Sequence, residues 1–330
     1  MLLAGDIGGT KTVLAVFSLE QGAREPLAEA TFPSSQYASL EKILHEFRAS
    51  NDLPIDRACF GVAGPVVDGQ SRITNLPWVI STPRLRAALN FQAVALLNDL
   101  QAIAYAVPHL GAEDLRTLHP GNPQPGGNIA VIAPGTGLGE AYLTWDGTGY
   151  HAYPSEGGHA DFGPTNALEV ELLRYYLRRM DHVSYERFCS GLGLPNIYDF
   201  LVNTGYVSEP EWLAAELRET RDPTPVIAKA ALRNDPPSEL CVTALEMFVS
   251  ILGAEAGNLA LKVLSRGGVY LGGGIPPRIL PALEHQHFLE SFLRKGRMSE
   301  ELIRMPVHVI LNPKTALLGA AYYGLEELTP

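Results

Sequence analysis

Residues 2–19, LLAGDIGGTKTVLAVFSL, place an apolar run, a glycine-rich polar turn and a second apolar run in succession. Leu2 to Gly5 and Val13 to Leu19 read as buried strands, with Gly8-Gly9, between Asp6 and Thr10, as the turn that joins them. Glycine there permits positive φ and close approach of a ligand to the backbone, leaving N–H groups free to face an anion such as phosphate. Asp6 repels a phosphate unless a divalent cation, Mg²⁺ held partly through water, stands between them. The loop is not a Walker A motif, because Thr10 rather than glycine precedes Lys11. Taken alone, such a loop is more often just a hairpin.

The device recurs. Residues 128–145, NIAVIAPGTGLGEAYLTW, repeat the order of run, turn (Gly135, Thr136, Gly137, Gly139) and run, which predicts an α/β chain of two related halves facing one cleft. A third cluster, Gly272 to Gly274, follows the short run Val269 to Leu271 and is expected to wall the rest of a nucleotide.

With 25 Lys+Arg against 36 Asp+Glu the chain carries −11, and no basic cluster offsets it, so nucleic acid is not an expected partner. An anionic nucleotide must then be held by amides and metal. The cysteines Cys59, Cys189 and Cys241 are widely spaced, which argues against disulfides and a cysteine zinc site, and Cys189 reads as an inert, partly buried thiol. The sequence enters its first strand without a charged leader, and no uninterrupted apolar run reaches about 18 residues, so neither a secretion signal nor a membrane partner is expected, and the cytoplasm is.

Along the chain, Glu25 to Phe32 reads as a third strand, and Leu40, Ile43, Leu44 and Phe47 as the buried face of a helix. The strand Ala93 to Leu97 ends in Asn98-Asp99, where open α/β sheets gather ligands, although either residue also serves as a cap for the helix that follows, with Gln101 completing a capping box. HPGNPQPGG (119–127) reads as a crossing into the second domain. A helix opening at Asn166 is expected to bury Leu168, Leu172, Leu173, Tyr176 and Leu177, and residues 207–238 to form surface helices and loops. Leu240 to Leu264 reads as one long core helix, burying Ala244, Phe248, Leu252, Ala256 and Leu259 and ended by Gly267-Gly268. Glu156 and His159 suit a hydroxylated ligand better than a metal, while Glu186 reads by itself as a solvated glutamate at a helix start.

GDIGGT (5–10), LLNDLQA (96–102), APGTGLG (133–139), SEGGHADF (155–162), ERFCSGLGL (186–194) and LGGGIPPR (271–278) together resemble the bacterial glucokinases of the sugar kinase, Hsp70 and actin superfamily, from the first hairpin to LLGAAYYG near the C-terminus. The resemblance implies a two-domain actin-like ATPase (ribonuclease H-like) fold, with a small domain at 1–109 plus 314–330, a large domain at 110–313 and a cleft between them. It implies ATP-dependent phosphorylation of the 6-hydroxyl of D-glucose, feeding glycolysis, with Asp99 as general base and Asn98, Asp99, Glu156, His159 and Glu186 as sugar contacts. ATP is then expected at Gly5, Asp6, Ile7, Gly8, Gly9, Thr10, Gly135, Thr136, Gly137, Gly273 and Gly274, with Mg²⁺ at Asp6 through water, in a homodimer. Asn75 is a further candidate sugar contact or a structural asparagine. Rival readings are a kinase for mannose, fructose or an N-acetyl amino sugar, a non-catalytic sugar sensor, and an ATPase with no sugar substrate.

Overall fold

The computed structural model describes residues 1–73, 76–233 and 236–328, so the candidate Asn75 lies outside the described residues. The chain forms two compact units, one of Met1–Gly111, Tyr150–Pro154 and Asn312–Pro330, the other of Ala112–Gly149 and Ser155–Leu311.

The first unit opens with β1 (Leu2–Ile7), β2 (Lys11–Phe17) and β3 (Ala28–Pro33), an antiparallel meander whose first two strands are almost wholly buried. Helix α1 (Leu40–Ala49) buries Leu40, Ile43, Leu44 and Phe47, the face expected from their spacing. Strand β4 (Arg57–Val62) follows. A small sheet of β5 (Val66–Val67), β6 (Gln70–Arg72) and β7 (Val79–Ser81) leads into α2 (Thr82–Leu89), β8 (Ala93–Asn98) and α3 (Asp99–Ala106). The main sheet has the order β3-β2-β1-β4-β8, with β4 parallel to both β1 and β8. Its register sets Ile7, Val62 and Asn98 side by side, so Asp6 near the end of β1 and Asp99 at the start of α3 lie at the same edge.

In the second unit β9 (Leu115–His119) is followed by the hairpin β10 (Ile129–Pro134) and β11 (Leu138–Trp145). After β12 (Tyr150–Ser155), all but the last residue of which is grouped with the first unit, come α4 (Ala167–Leu177), α5 (Gly193–Asn203), α6 (Glu211–Glu219), α7 (Pro223–Leu232) and the 25-residue α8 (Glu239–Val263). Strand β13 (Gly268–Leu271), the short helices α9 (Leu280–Leu283), α10 (Gln286–Leu293) and α11 (Ser299–Leu302), and β14 (Val307–Ile310) complete it. Strand β10 is antiparallel to β11 and parallel to β13, and β13 is parallel to β14. The order β11-β10-β13-β14 thus repeats β2-β1-β4-β8, strand for strand and direction for direction. Helix α12 (Thr315–Glu327) returns to the first unit, where Gly319 lies directly on the Ala102 carbonyl of α3.

Several expectations are corrected. Leu177 is 50% exposed, because α4 ends there and its side chain has turned past the buried face of Leu172 and Tyr176. Helix α8 stops at Leu264, itself left-handed at φ 51°, before the glycines are reached. It is long and apolar enough by length and composition to cross a membrane, yet 78% of its most apolar window is buried within the unit. Helix α7 is no surface helix, since Ile227, Ala230 and Ala231 join the core. Cys189 is wholly buried, and burial together with neighbouring acidic groups pushes its thiol far above the ordinary range.

Candidate active site

In the first unit the hairpin turn is braced from behind. Gly8 donates its N–H to the Lys11 carbonyl at 3.0 Å, Ser34 donates its N–H to the Thr10 carbonyl at 3.0 Å, and the Ser34 hydroxyl donates to the Gly8 carbonyl at 2.8 Å. The carbonyls are thereby turned back into the protein, while the N–H groups of Gly9 and Thr10 meet no acceptor among the described residues, a polarity that suits an anion. Ser34 was not singled out from sequence; a serine pair just after a strand carries no signal until the strand's pairing is known.

Asp6 stands at the end of β1 beside this turn. Its carboxyl is pushed from 3.8 up to about 6, first by burial, then by the charge of Asp99, with Lys11 pulling the other way. No described donor bonds to it, and a partly buried carboxylate without a hydrogen-bond donor, near a second one, is chemically suited to a hydrated divalent cation. Asp99 begins α3, and burial raises its carboxyl too, against hydrogen bonds from Leu100 and Asn98. Leu100 N–H donates to Asp99 Oδ1 at 2.8 Å and to Asn98 Oδ1 at 3.0 Å, and Asn98 Nδ2 donates to the Gly64 carbonyl at 3.1 Å. Asn98 therefore is the helix cap, and its cap geometry fixes where the adjacent Asp99 carboxylate stands.

In the second unit the fold brings together Glu156, His159 and Glu186. His159 Nδ1 is 3.9 Å from Glu186 Oε1 and its Nε2 is 3.9 Å from Glu156 Oε2, too long for hydrogen bonds and open enough for hydroxyl groups to enter. Glu186 is not the solvated helix-start residue that local sequence favours. It is half-buried in a single 3₁₀ turn, and its Oε2 accepts from the Leu138 N–H at 3.0 Å. Gly157 and Gly158 explain themselves by contact: a methyl on the first would overlap the Glu140 carboxylate, and one on the second the Leu138 carbonyl. The turn that carries Glu156 and His159 is thus pressed onto β11.

The second glycine turn is continuous with this group. Gly135 N–H donates to the Gly137 carbonyl at 2.8 Å, and nothing occupies the space before Gly135; Thr136 is exposed. Gly191 N–H donates to the Gly135 carbonyl at 2.7 Å, and Thr224 at the start of α7 donates its hydroxyl to the Gly191 carbonyl. Gly273, at φ 81°, packs against the Pro134 carbonyl, a position barred to any side chain, and Gly274 faces open space. Just beyond, a cavity of about 510 Å³ is lined by Leu194, Thr224, Ala228, Phe248 and Ile275, with Arg278 at its edge. Reading 207–238 as surface concealed the contribution of α7 to this wall.

The family model for glucokinase matches residues 3–327. The glucokinase of Nostoc sp. (strain PCC 7120) is 42% identical over 97% of this chain and 98% of its own length. The crystal structure of a glucokinase from an Antarctic psychrotroph, 32% identical, covers 97% of both chains with a TM-score of 0.83. A ROK family glucokinase from Streptomyces griseus, solved with glucose and AMPPNP, shares the fold at 20% identity and a TM-score of 0.64 over 97% of both chains. The fold is that of the actin-like ATPase sugar kinases, and on the whole-length family match and the identity to its relatives, this chain belongs to the glucokinase family.

Proposed function

We infer that this chain is an ATP-dependent glucose kinase that transfers the γ-phosphoryl group to the 6-hydroxyl of D-glucose, with Asp99 as the base that accepts the hydroxyl proton. The observation that carries the sugar site is the convergence of Glu156 and Glu186 on the two ring nitrogens of His159, each at 3.9 Å. Carboxylates accept two hydroxyl donors each, with the strength of charged acceptors, and a site built this way rejects analogues that lack a hydroxyl. Asn98 joins them as a sugar contact. The phosphates of ATP are assigned to the amides of Gly8 to Thr10 and Gly135 to Gly137, and the base to the apolar cavity past Gly273-Gly274, whose apolar lining with a polar edge suits a purine. The Streptomyces griseus neighbour, bound to glucose and AMPPNP, supports the pairing of these two ligands.

Mg²⁺ is assigned to Asp6 through water, where it would supply charge neutralisation to the transferring phosphoryl group. We further assign the chain to the cytoplasm and to the entry of glucose into glycolysis, as a homodimer without a nucleic-acid or membrane partner; the acidic balance of −11 and the burial of α8 support the last two. The deciding experiment is a coupled assay with ATP·Mg²⁺ against glucose, mannose, fructose and N-acetylglucosamine, run beside Asp99→Asn. Glucose should give the highest kcat/KM and the variant should be silent. Binding of glucose without turnover by the wild type would make the chain a sensor instead.

A further inference from the structure

Behind the turn that carries Glu156 and His159 lie two carboxyl groups with no place in the mechanism above. Glu140 projects from β11 and Glu255 from the middle of α8; their residues are 1% and 0% exposed, and the two carboxyls lie within hydrogen-bonding reach of each other. No described donor reaches either Glu140 oxygen. On Glu255, Oε2 accepts from Asn258 Nδ2 at 2.8 Å, while Oε1 has only the Lys262 ammonium at 3.7 Å. The nearby Lys295 is committed elsewhere, to the Ala254 carbonyl and to Asn258 Oδ1. One ammonium at ion-pair distance does not compensate two buried carboxylates, and Glu140 oxygens without a donor are satisfied only when a proton lies between the two acids.

Both ends of this pair touch the elements that hold the sugar-binding side chains. The Glu140 carboxyl occupies the place a side chain at position 157 would take, one residue from Glu156 and two from His159. Glu255 continues through Asn258, whose Nδ2 also donates to the Tyr185 hydroxyl at 3.0 Å, and Tyr185 immediately precedes Glu186.

We propose that Glu140, as a neutral acid donating its O–H to the Glu255 carboxylate, is a positioning residue that sets the spacing of Glu156, His159 and Glu186 for the sugar hydroxyls; this rests on the kinase reading above. The groups facing the pair are Lys262 on α8, Lys295 after α10, Glu169 on α4, and Tyr185 and Cys189 before α5. Glu169 is already bonded to Thr165 and Asn166 at the start of its helix. Burial and then the charge of Glu255 push the Glu140 carboxyl well above the ordinary range, so it stays neutral through neutral pH. Its ionisation in alkali places a second negative charge beneath Gly157, and glucose binding weakens with it.

The test joins isotope-edited infrared spectroscopy to steady-state kinetics on the full chain. At neutral pH the wild type should show the carbonyl band of a buried neutral carboxylic acid, lost in Glu140→Gln and lost in the wild type as pH is raised. Glu140→Gln, whose amide can donate to Glu255, should keep the glucose KM within about threefold and remove its alkaline rise, whereas Glu140→Leu should raise it about tenfold or more with the ATP KM unchanged. No such band, or a glucose KM raised equally by Gln and Leu, overturns the proposal; so does a wild-type KM in Glu140→Leu. If the leucine variant does not fold, the band and the pH profile of the glutamine variant decide. A wild type that carries the band but phosphorylates no sugar overturns the kinase reading while leaving the shared proton in place.

Discussion

The Glu186 carboxylate accepts a hydrogen bond from the Leu138 amide at 3.0 Å, which ties an acid of the proposed sugar site directly to the turn of the second glycine hairpin. A methyl at Gly137 would overlap the same carboxylate, so that turn has room for the Leu138–Glu186 bond only because glycine precedes it. Glu186→Gln can still accept from Leu138 but turns a donor toward His159. We expect the glucose KM to rise about tenfold to a hundredfold, the range set by losing one or two charged hydrogen bonds, with the ATP KM little changed; steady-state kinetics with each substrate varied checks this.

Asp99→Asn leaves the cap formed by Asn98 in place, so the fold and glucose binding should survive. The loss of a positioned base should lower kcat by about 10²- to 10⁴-fold while the glucose Kd from calorimetry moves only a few-fold. A variant that kept half the wild-type rate would remove Asp99 from the mechanism.

Asp6 yields a prediction in two conditions. Its folded-state pKa is raised from 3.8 to about 6, so in metal-free buffer its contribution to stability is whole below the unfolded value, shrinks as pH rises and is gone past about 6. Asp6→Asn should therefore melt above the wild type at neutral pH without metal, and level with it in strong acid. With ATP present, the same variant should need more Mg²⁺ for half-maximal rate, and the rise of kcat/KM through about pH 6 should vanish. An unchanged Mg²⁺ titration would make Asp6 a structural residue.

Gly319→Ala sets a methyl against the Ala102 carbonyl, backbone that has little freedom to retreat. Overpacking of this kind should lower stability by about 1–3 kcal/mol in denaturant titrations. The glucose and ATP KM values of the folded fraction should stay near those of the wild type.

Much of this architecture is legible in the residues because it is local. The glycine turns at 8–9 and 135–137 punctuate apolar runs, and their recurrence announces the repeated sheet. The α1 face follows from the spacing of Leu40, Ile43, Leu44 and Phe47. What escaped depends on partners distant in the chain. Ser34 matters only because β3 returns to the first turn, Glu186 is half-buried only because it meets Leu138, and Glu140 reads as a strand's polar face until Glu255 of α8 closes over it. The span of α8 is legible to within a residue, but its stop is the left-handed Leu264 itself and not the glycines three residues on, because a left-handed leucine is uncommon.

The place of α12 also imposes an order on biosynthesis. Leu2, Ala4, Cys59 and Ala102 share one apolar cluster with Leu317, Leu318, Ala320 and Ala321, so residues made early are covered by residues made more than two hundred positions later. While residues 112–311 are being translated, the early sheet waits with that face bare. The second unit, contiguous but for 150–154, can condense as it emerges, whereas the first is finished only once the segment from Asn312 onward has been made. A chain cut before residue 315 should therefore leave the Leu2–Cys59–Ala102 face uncovered, which faster amide exchange in β1 and β4 of that truncation would show.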